Sequence, residues 1–80
     1  MIEGVVKTAL TTAQIRTLLA VLYLHSRGES LTARAVSVVE HHSPATAHQR
    51  MHQLMEAGFL TMDPGRRGTW RPTVRAVAAG

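Results

Sequence analysis

Ser43-Pro44-Ala45-Thr46-Ala47-His48-Gln49-Arg50-Met51-His52-Gln53-Leu54-Met55-Glu56-Ala57-Gly58-Phe59-Leu60 is the stretch on which the fold turns. It opens with a helix start: a serine hydroxyl can accept from a free N–H of the first turn. Proline at the next position gives up only an N–H that would have had no partner. Gly58 supplies the stop, because glycine takes the left-handed conformation that closes a helix. Between these signals Ala47, Met51, Leu54 and Met55 recur at helical spacing and form one apolar face. The remaining surface carries Ala45, Thr46, His48, Gln49, Arg50, His52 and Gln53, with one acid, Glu56, near its end. The expected element is therefore a helix over 44–57 with a greasy side and a side rich in donors, acceptors and positive charge.

On either side the chain repeats this logic. Upstream, Thr11 and Gln14 have capping-box spacing, and a helix is expected from there to about Arg27, stopped by Gly28. Its buried stripe is expected to be Ile15, Leu18, Leu19 and Leu22. Glu29-Ser30-Leu31 reads as a short extended link. Thr32 can cap a second helix, Ala33 to about Glu40, burying Val36 and Val39. His41-His42-Ser43 then turns the chain into the helix already described. Downstream, Phe59 to Asp63 reads as a strand and Asp63-Pro64-Gly65 as a turn, with glycine supplying a positive φ. Arg66-Arg67-Gly68 forms a tip, and Thr69-Trp70-Arg71 returns as the partner strand. Pro72 cannot donate to a ladder and marks a strand end. Trp70 is expected to bury its ring against Phe59, Leu60 or Met62. The resulting division is an N-terminal arm (1–10), a three-helix core (11–57), a hairpin (58–73) and an apolar tail (74–80).

Composition narrows the partners. Eighty residues make one small domain, and 45% apolar content is that of a folded chain. The net charge of +4 favours a polyanion. From His41 onward five arginines face two acids; before it, four basic residues face three acids. The excess therefore gathers in the half that holds the polar helix and the hairpin. There is no cysteine, which excludes a disulfide framework and a thiolate metal site and is compatible with a cytoplasmic location. The longest apolar run, Leu18 to Leu24, is too short to span a bilayer. No Gly-rich phosphate loop, His-Glu-x-x-His or nucleophile elbow is present, so no enzyme is expected.

Ser-Pro-Ala-Thr-Ala-His-Gln-Arg-Met, followed by Leu54 and Ala-Gly-Phe-Leu, resembles the recognition helix of bacterial winged helix-turn-helix regulators. The likeness is to the DNA-binding domain of LexA-type repressors first and to MarR-type regulators second, and it runs from about Thr11 to Thr73. It implies an α+β winged helix-turn-helix fold: three core helices and a small antiparallel sheet whose hairpin is the wing. It also implies sequence-specific binding of double-stranded DNA, repression by occupying an operator, and a bacterial, phage or plasmid origin. The chain departs from the pattern in the turn, where glycine and an apolar residue are usual and His41 and His42 stand, and at Glu40, where an apolar residue is common.

In that setting the base-edge candidates are Ala45, Thr46, His48 and Gln49. Gln49 can pair with adenine through two hydrogen bonds, and Ala45 or the Thr46 methyl can touch a thymine methyl. The phosphate candidates are Ser43 with the helix amides, Arg50, His52 and Gln53 on the helix, and Arg66, Arg67 and Arg71 in the hairpin. A domain of this size reads few base pairs, so a homodimer on an inverted repeat is expected, with the apolar Ile2, Val5, Val6 and Leu10 as the candidate interface. Two other readings stand beside this one. The same module can serve protein–protein contact, its arginines meeting an acidic surface. Five histidines, with His48 and His52 at i, i+4, also raise a metal-responsive regulator. The lack of cysteine and the scarcity of carboxylates weigh against it, and no metal or cofactor is expected.

Overall fold

The computed structural model describes residues 10–79. Helix α1 spans Thr12–Ser26, α2 Ala33–Glu40 and α3 Pro44–Glu56; strands β1 (Leu60–Met62) and β2 (Trp70–Pro72) follow, and a short helix α4 (Val74–Ala79) ends the described chain. The arrangement is α+β, with the helices packed on one another and on a two-stranded antiparallel sheet. The expected N-terminal arm lies, apart from Leu10, outside the described residues; Leu10 itself is half-buried against the core.

Each predicted cap forms. Thr11 Oγ1 accepts from the Gln14 N–H at 3.1 Å while Gln14 Oε1 accepts from the Thr11 N–H at 3.0 Å, the full capping box. Thr32 accepts from the Ala35 N–H and Ser43 from the Thr46 N–H. The C-terminal ends share a second device. After α1, Gly28 takes φ 74° and the Glu29 N–H reaches back to the Leu24 carbonyl; after α3, Gly58 takes φ 89° and the Phe59 N–H reaches the Leu54 carbonyl. These are left-handed closures in which the residue after the cap satisfies an orphan carbonyl. The same closure ends α2, with the His42 N–H on the Ser37 carbonyl, but there the left-handed residue is His41, at φ 62° and ψ 46°. The turn between α2 and α3 thus has the shape a glycine would give it, built with a histidine.

The core lies where α1, α2, α3 and the sheet meet. Val21, Val36, Ala47, Met51 and Leu54 are fully buried, with Leu24, Leu31, Leu60 and Trp70 around them. In α2, Val36 is buried and Val39 only half-buried. The expected stripe of α1 needs correction. Leu18 is buried and Leu22 half-buried, but Ile15 and Leu19 are 45% and 58% exposed, and the helix packs through Thr17, Leu18, Ala20, Val21 and Leu24. The physical reason is that α1 is apolar on nearly every side, so periodicity does not single out one face. Its small residues, Thr17 and Ala20, then let α2 and α3 approach closely.

The strand pairing runs Leu60 to Pro72, Thr61 to Arg71 and Met62 to Trp70. The Asp63 N–H donates to the Thr69 carbonyl and the Thr73 N–H to the Phe59 carbonyl. Positions 70 and 72, which alternate with these, turn their nitrogens away from β1. Pro72 therefore costs the ladder nothing. The Trp70 N–H donates to the Leu31 carbonyl at 2.8 Å, reducing the extended link to a single bridge against β2.

The loop is two turns rather than one. Asp63 Oδ1 accepts from the Gly65 N–H and the Arg66 N–H reaches the Asp63 carbonyl; Thr69 N–H then reaches Arg66, with the positive φ of 82° at Gly68. The left-handed glycine is thus Gly68 and not Gly65, because the aspartate closes the first turn from its side chain. The tail is likewise not a loose end. Thr73 Oγ1 donates to the Gly58 carbonyl at 2.6 Å, and Ala76 of α4 is fully buried.

A non-glycine residue held in the left-handed region carries about 1–2 kcal/mol of steric cost, partly offset in glycine by its greater unfolded-state freedom. His41→Gly should therefore stabilise the domain by about 0.5–1 kcal/mol, a rise of several degrees in the thermal midpoint. An unchanged or lowered midpoint would show that the His41 side chain contributes contacts that outweigh its backbone cost.

Candidate functional site

Helix α3 has four sides, and its neighbours assign each one. The core side, Ala47, Met51 and Leu54, is buried completely. The side toward α2 carries Ser43, Thr46 and Arg50. There Ser43 Oγ donates to Thr46 Oγ1 at 3.0 Å, so the half-buried threonine hydroxyl is tied into the cap. The side toward the hairpin carries His48 and His52, whose ring centroids lie 4.5 Å apart. Both present edge-on geometry to Trp70, His52 at 5.3 Å and His48 at 6.2 Å. The outer side carries Ala45, Gln49 and Glu56, all exposed.

Beneath the helix start lies a polar hub that the sequence alone did not reveal. The Glu40 side chain is only 9% exposed. One of its oxygens accepts from the fully buried Thr17 hydroxyl at 2.7 Å and lies 3.3 Å from His42 Nε2; the other lies 3.8 Å from an Arg50 nitrogen. His42 Nε2 is within ion-pair distance but not aligned for a hydrogen bond, while Nδ1 faces the Ser43 carbonyl at 3.2 Å. A carboxylate taken out of water must be met by donors or positive charge. Here α1, the α2–α3 turn and α3 each supply one group. Glu40 at an apolar position and Thr17 among apolar neighbours were the signal available in the sequence. Neither residue points to the other without the fold.

Several candidates change place accordingly. Arg50, expected at phosphate, is 31% exposed and turned toward Glu40. Gln53, also expected at phosphate, accepts at its side-chain oxygen from the Gln14 amide at 2.9 Å, which ties α3 to the start of α1. His48 and His52 sit in the corner with the hairpin, away from the outermost line of Ala45 and Gln49. Trp70 is buried in one core cluster with Phe59 and Leu60, as expected, faces Met62 across the ladder, and has these two imidazoles as its aromatic neighbours.

Arg66, Arg67 and Arg71 are exposed and make no ion pair among the described residues. A cleft of about 180 Å³ separates the hairpin from the end of α1, lined by His25, Gly28 and Glu29 on one side and Asp63, Arg66 and Arg71 on the other. Among the described residues no three histidine or carboxylate side chains converge on a point where a metal could sit, and no helix is long and apolar enough to cross a membrane. No protein family, curated protein or solved structure matches the chain.

The hub makes a stability prediction. Glu40→Ala takes the carboxylate acceptor from the buried Thr17 hydroxyl, leaving it the Ala13 carbonyl 3.1 Å away, and removes the counter-charge of Arg50; it should cost about 1–2 kcal/mol. Thr17→Val combined with Glu40→Leu removes donor and acceptor together and should recover much of that loss. Urea denaturation of the three chains checks it. A double variant no more stable than Glu40→Ala would mean that the hub acts through shape and not through its hydrogen bond.

Proposed function

We propose that the chain is a winged helix-turn-helix domain that binds double-stranded DNA in a sequence-specific manner, without enzymatic activity, as a homodimeric transcriptional repressor of the cytoplasm. In this reading α3 enters the major groove and the β1–β2 hairpin is the wing. The observation that carries it is a juxtaposition. A helix seated on its apolar side presents Ala45 and Gln49 outward, and the adjoining hairpin holds Arg66, Arg67 and Arg71 free of carboxylates.

The two sets have different work. Gln49 offers one acceptor and two donors, the pattern that pairs with an adenine edge, and Ala45 is small enough to lie against a thymine methyl. The arginines hold phosphates, and each phosphate neutralised releases counterions and steepens the dependence on salt. The start of α3 adds the Ala45 N–H and the positive end of a helix dipole, the Thr46 N–H being taken by the Ser43 cap. His48 and His52 then set the angle between helix and wing through Trp70, and reach the duplex only at its flank. A winged-helix module for protein contact is the rival reading. The unpaired arginines would serve it too, but an exposed glutamine and alanine on the outermost line suit a groove better than an acidic patch.

A target selected from random duplex DNA allows the two contact types to be separated. Replacing Arg66 and Arg67 by alanine in both subunits should lower the slope of log affinity against log salt by about 3–4, while leaving the sequence preference intact. Gln49→Ala should leave the slope unchanged and erase discrimination at one base position, by about 1–3 kcal/mol. A wild-type chain that selects no sequence and is displaced from duplex DNA by heparin without residue would remove the proposal.

A further inference from the structure

Among the described residues, the outer face of α1 leaves three large side chains in the open along one line. Ile15, Leu19 and Tyr23 follow one another at i, i+4 and i+8 and are 45%, 58% and 51% exposed. Half-buried Leu22 lies between them, and Thr12 and Ser26 continue the line at its ends. Exposed Arg16, three residues before Leu19, borders it. An apolar residue exposed singly, such as Val38, is ordinary. Three large side chains in one line along a helix form a continuous patch instead. The three side chains leave roughly 300 Å² in the open, a size at which a patch commonly marks an interaction site.

We infer that this face is where two copies of the chain meet, with their α1 helices antiparallel about a two-fold axis near Leu19. Three observations favour a second copy. The first is charge. Each chain carries +4, so two copies must approach where that charge is sparse; Ile15, Leu19, Leu22 and Tyr23 are uncharged, and exposed Arg16 stands at the edge of their line. At its end Arg27 lies over the Tyr23 ring, 5.4 Å from its centroid, and is paired with Glu29 at 3.2 Å. The second is area. Pairing along the fifteen residues of α1, rims included, would cover about 600 Å² per copy, the lower end of what stable specific interfaces bury. The register is also self-complementary: Leu19 meets Leu19 and Ile15 meets Tyr23, the pattern that an isologous contact requires.

The third observation is spacing, and it rests on the DNA-binding reading above. Helix α1 packs directly on α3, and its exposed stripe faces away from that contact. Pairing through α1 therefore places the two α3 helices about three inter-helix distances apart. At about 8–10 Å each this is roughly 24–30 Å, approaching the ~34 Å between successive major grooves on one side of a duplex. The interface so inferred lies on described residues of α1; the N-terminal segment, apart from Leu10, lies outside the described residues.

Sedimentation equilibrium of the full chain between about 1 and 100 µM tests the inference without DNA. The wild type should dimerise in this range, and Leu19→Glu should be monomeric, with an unchanged circular dichroism spectrum because the side chain it replaces is exposed. Since the chain has no cysteine, Leu19→Cys should oxidise to a covalent dimer, and Arg67→Cys, far from the axis, should not. A wild type that stays monomeric at 100 µM, a Leu19→Glu chain that still dimerises, or equal cross-linking at both positions would overturn it. On a target with two half-sites Leu19→Glu should then bind at least tenfold more weakly, with single half-site affinity unchanged. Loss of DNA binding in every chain, dimeric wild type included, would count against the DNA reading and leave the interface standing.

Discussion

The rotation of α3 about its own axis is the constraint on which the site depends. Ala47, Met51 and Leu54 are packed to complete burial, and successive helical residues point about 100° apart. A slip of one position would turn His48 inward and carry Gln49 off the outermost line. The packing is tight because Ala47 has no side chain beyond Cβ and lets α3 approach its neighbours closely, while Met51 is flexible enough to fill what remains. Hydrophobic burial supplies the energy for this seating but is not directional. The direction comes from polar contacts at the margins: Gln14 on Gln53, Arg50 beside Glu40, and the two imidazoles against Trp70.

Those margins explain an apparent inversion in the molecule. A glutamate is nearly buried on α2 while an isoleucine, a leucine and a tyrosine stand in solvent on α1. Glu40 gains little net stability from its burial, since desolvation opposes its attraction to Arg50. What it adds is geometry, because the Thr17 hydroxyl and the carboxylate must meet at hydrogen-bond distance. That couples the middle of α1 to the end of α2, next to the turn from which α3 departs. Apolar packing alone would allow these three helices to slide by a methylene or two; the hub does not.

Legibility in the sequence followed the range of the interaction. Ser43, Thr11, Thr32, Gly28 and Gly58 act within a few residues of themselves, so helix ends could be read from the chain directly. The core side of α3 was also readable, because its polar and apolar residues separate at a single period. In α1 they do not separate, and a choice among several apolar faces requires knowing which neighbour arrives where; Thr17, a buried polar residue, was the decisive and least conspicuous one. The same limit applied at the site. Exposed Ala45 and Gln49 followed from the helix alone, but the partners of Arg50, Gln53, His48 and His52 lie 10, 39, 22 and 18 residues away, on elements whose placement the sequence does not state.

The distribution of charge follows from these structural assignments more than from composition. Among the described residues there are four carboxylates, and three are engaged: Glu29 with Arg27, Glu40 with Arg50 and His42, and Asp63 within its own turn. Only Glu56, at the far end of α3 from Ser43, is left without a partner. The acids therefore pair with Arg27 and Arg50 and with no arginine of the hairpin, where Arg66, Arg67 and Arg71 are exposed; Arg16 and Arg34 on the helices are exposed and without an ion pair among the described residues as well. Three positive charges thereby stand together on the hairpin, where their potential adds instead of cancelling.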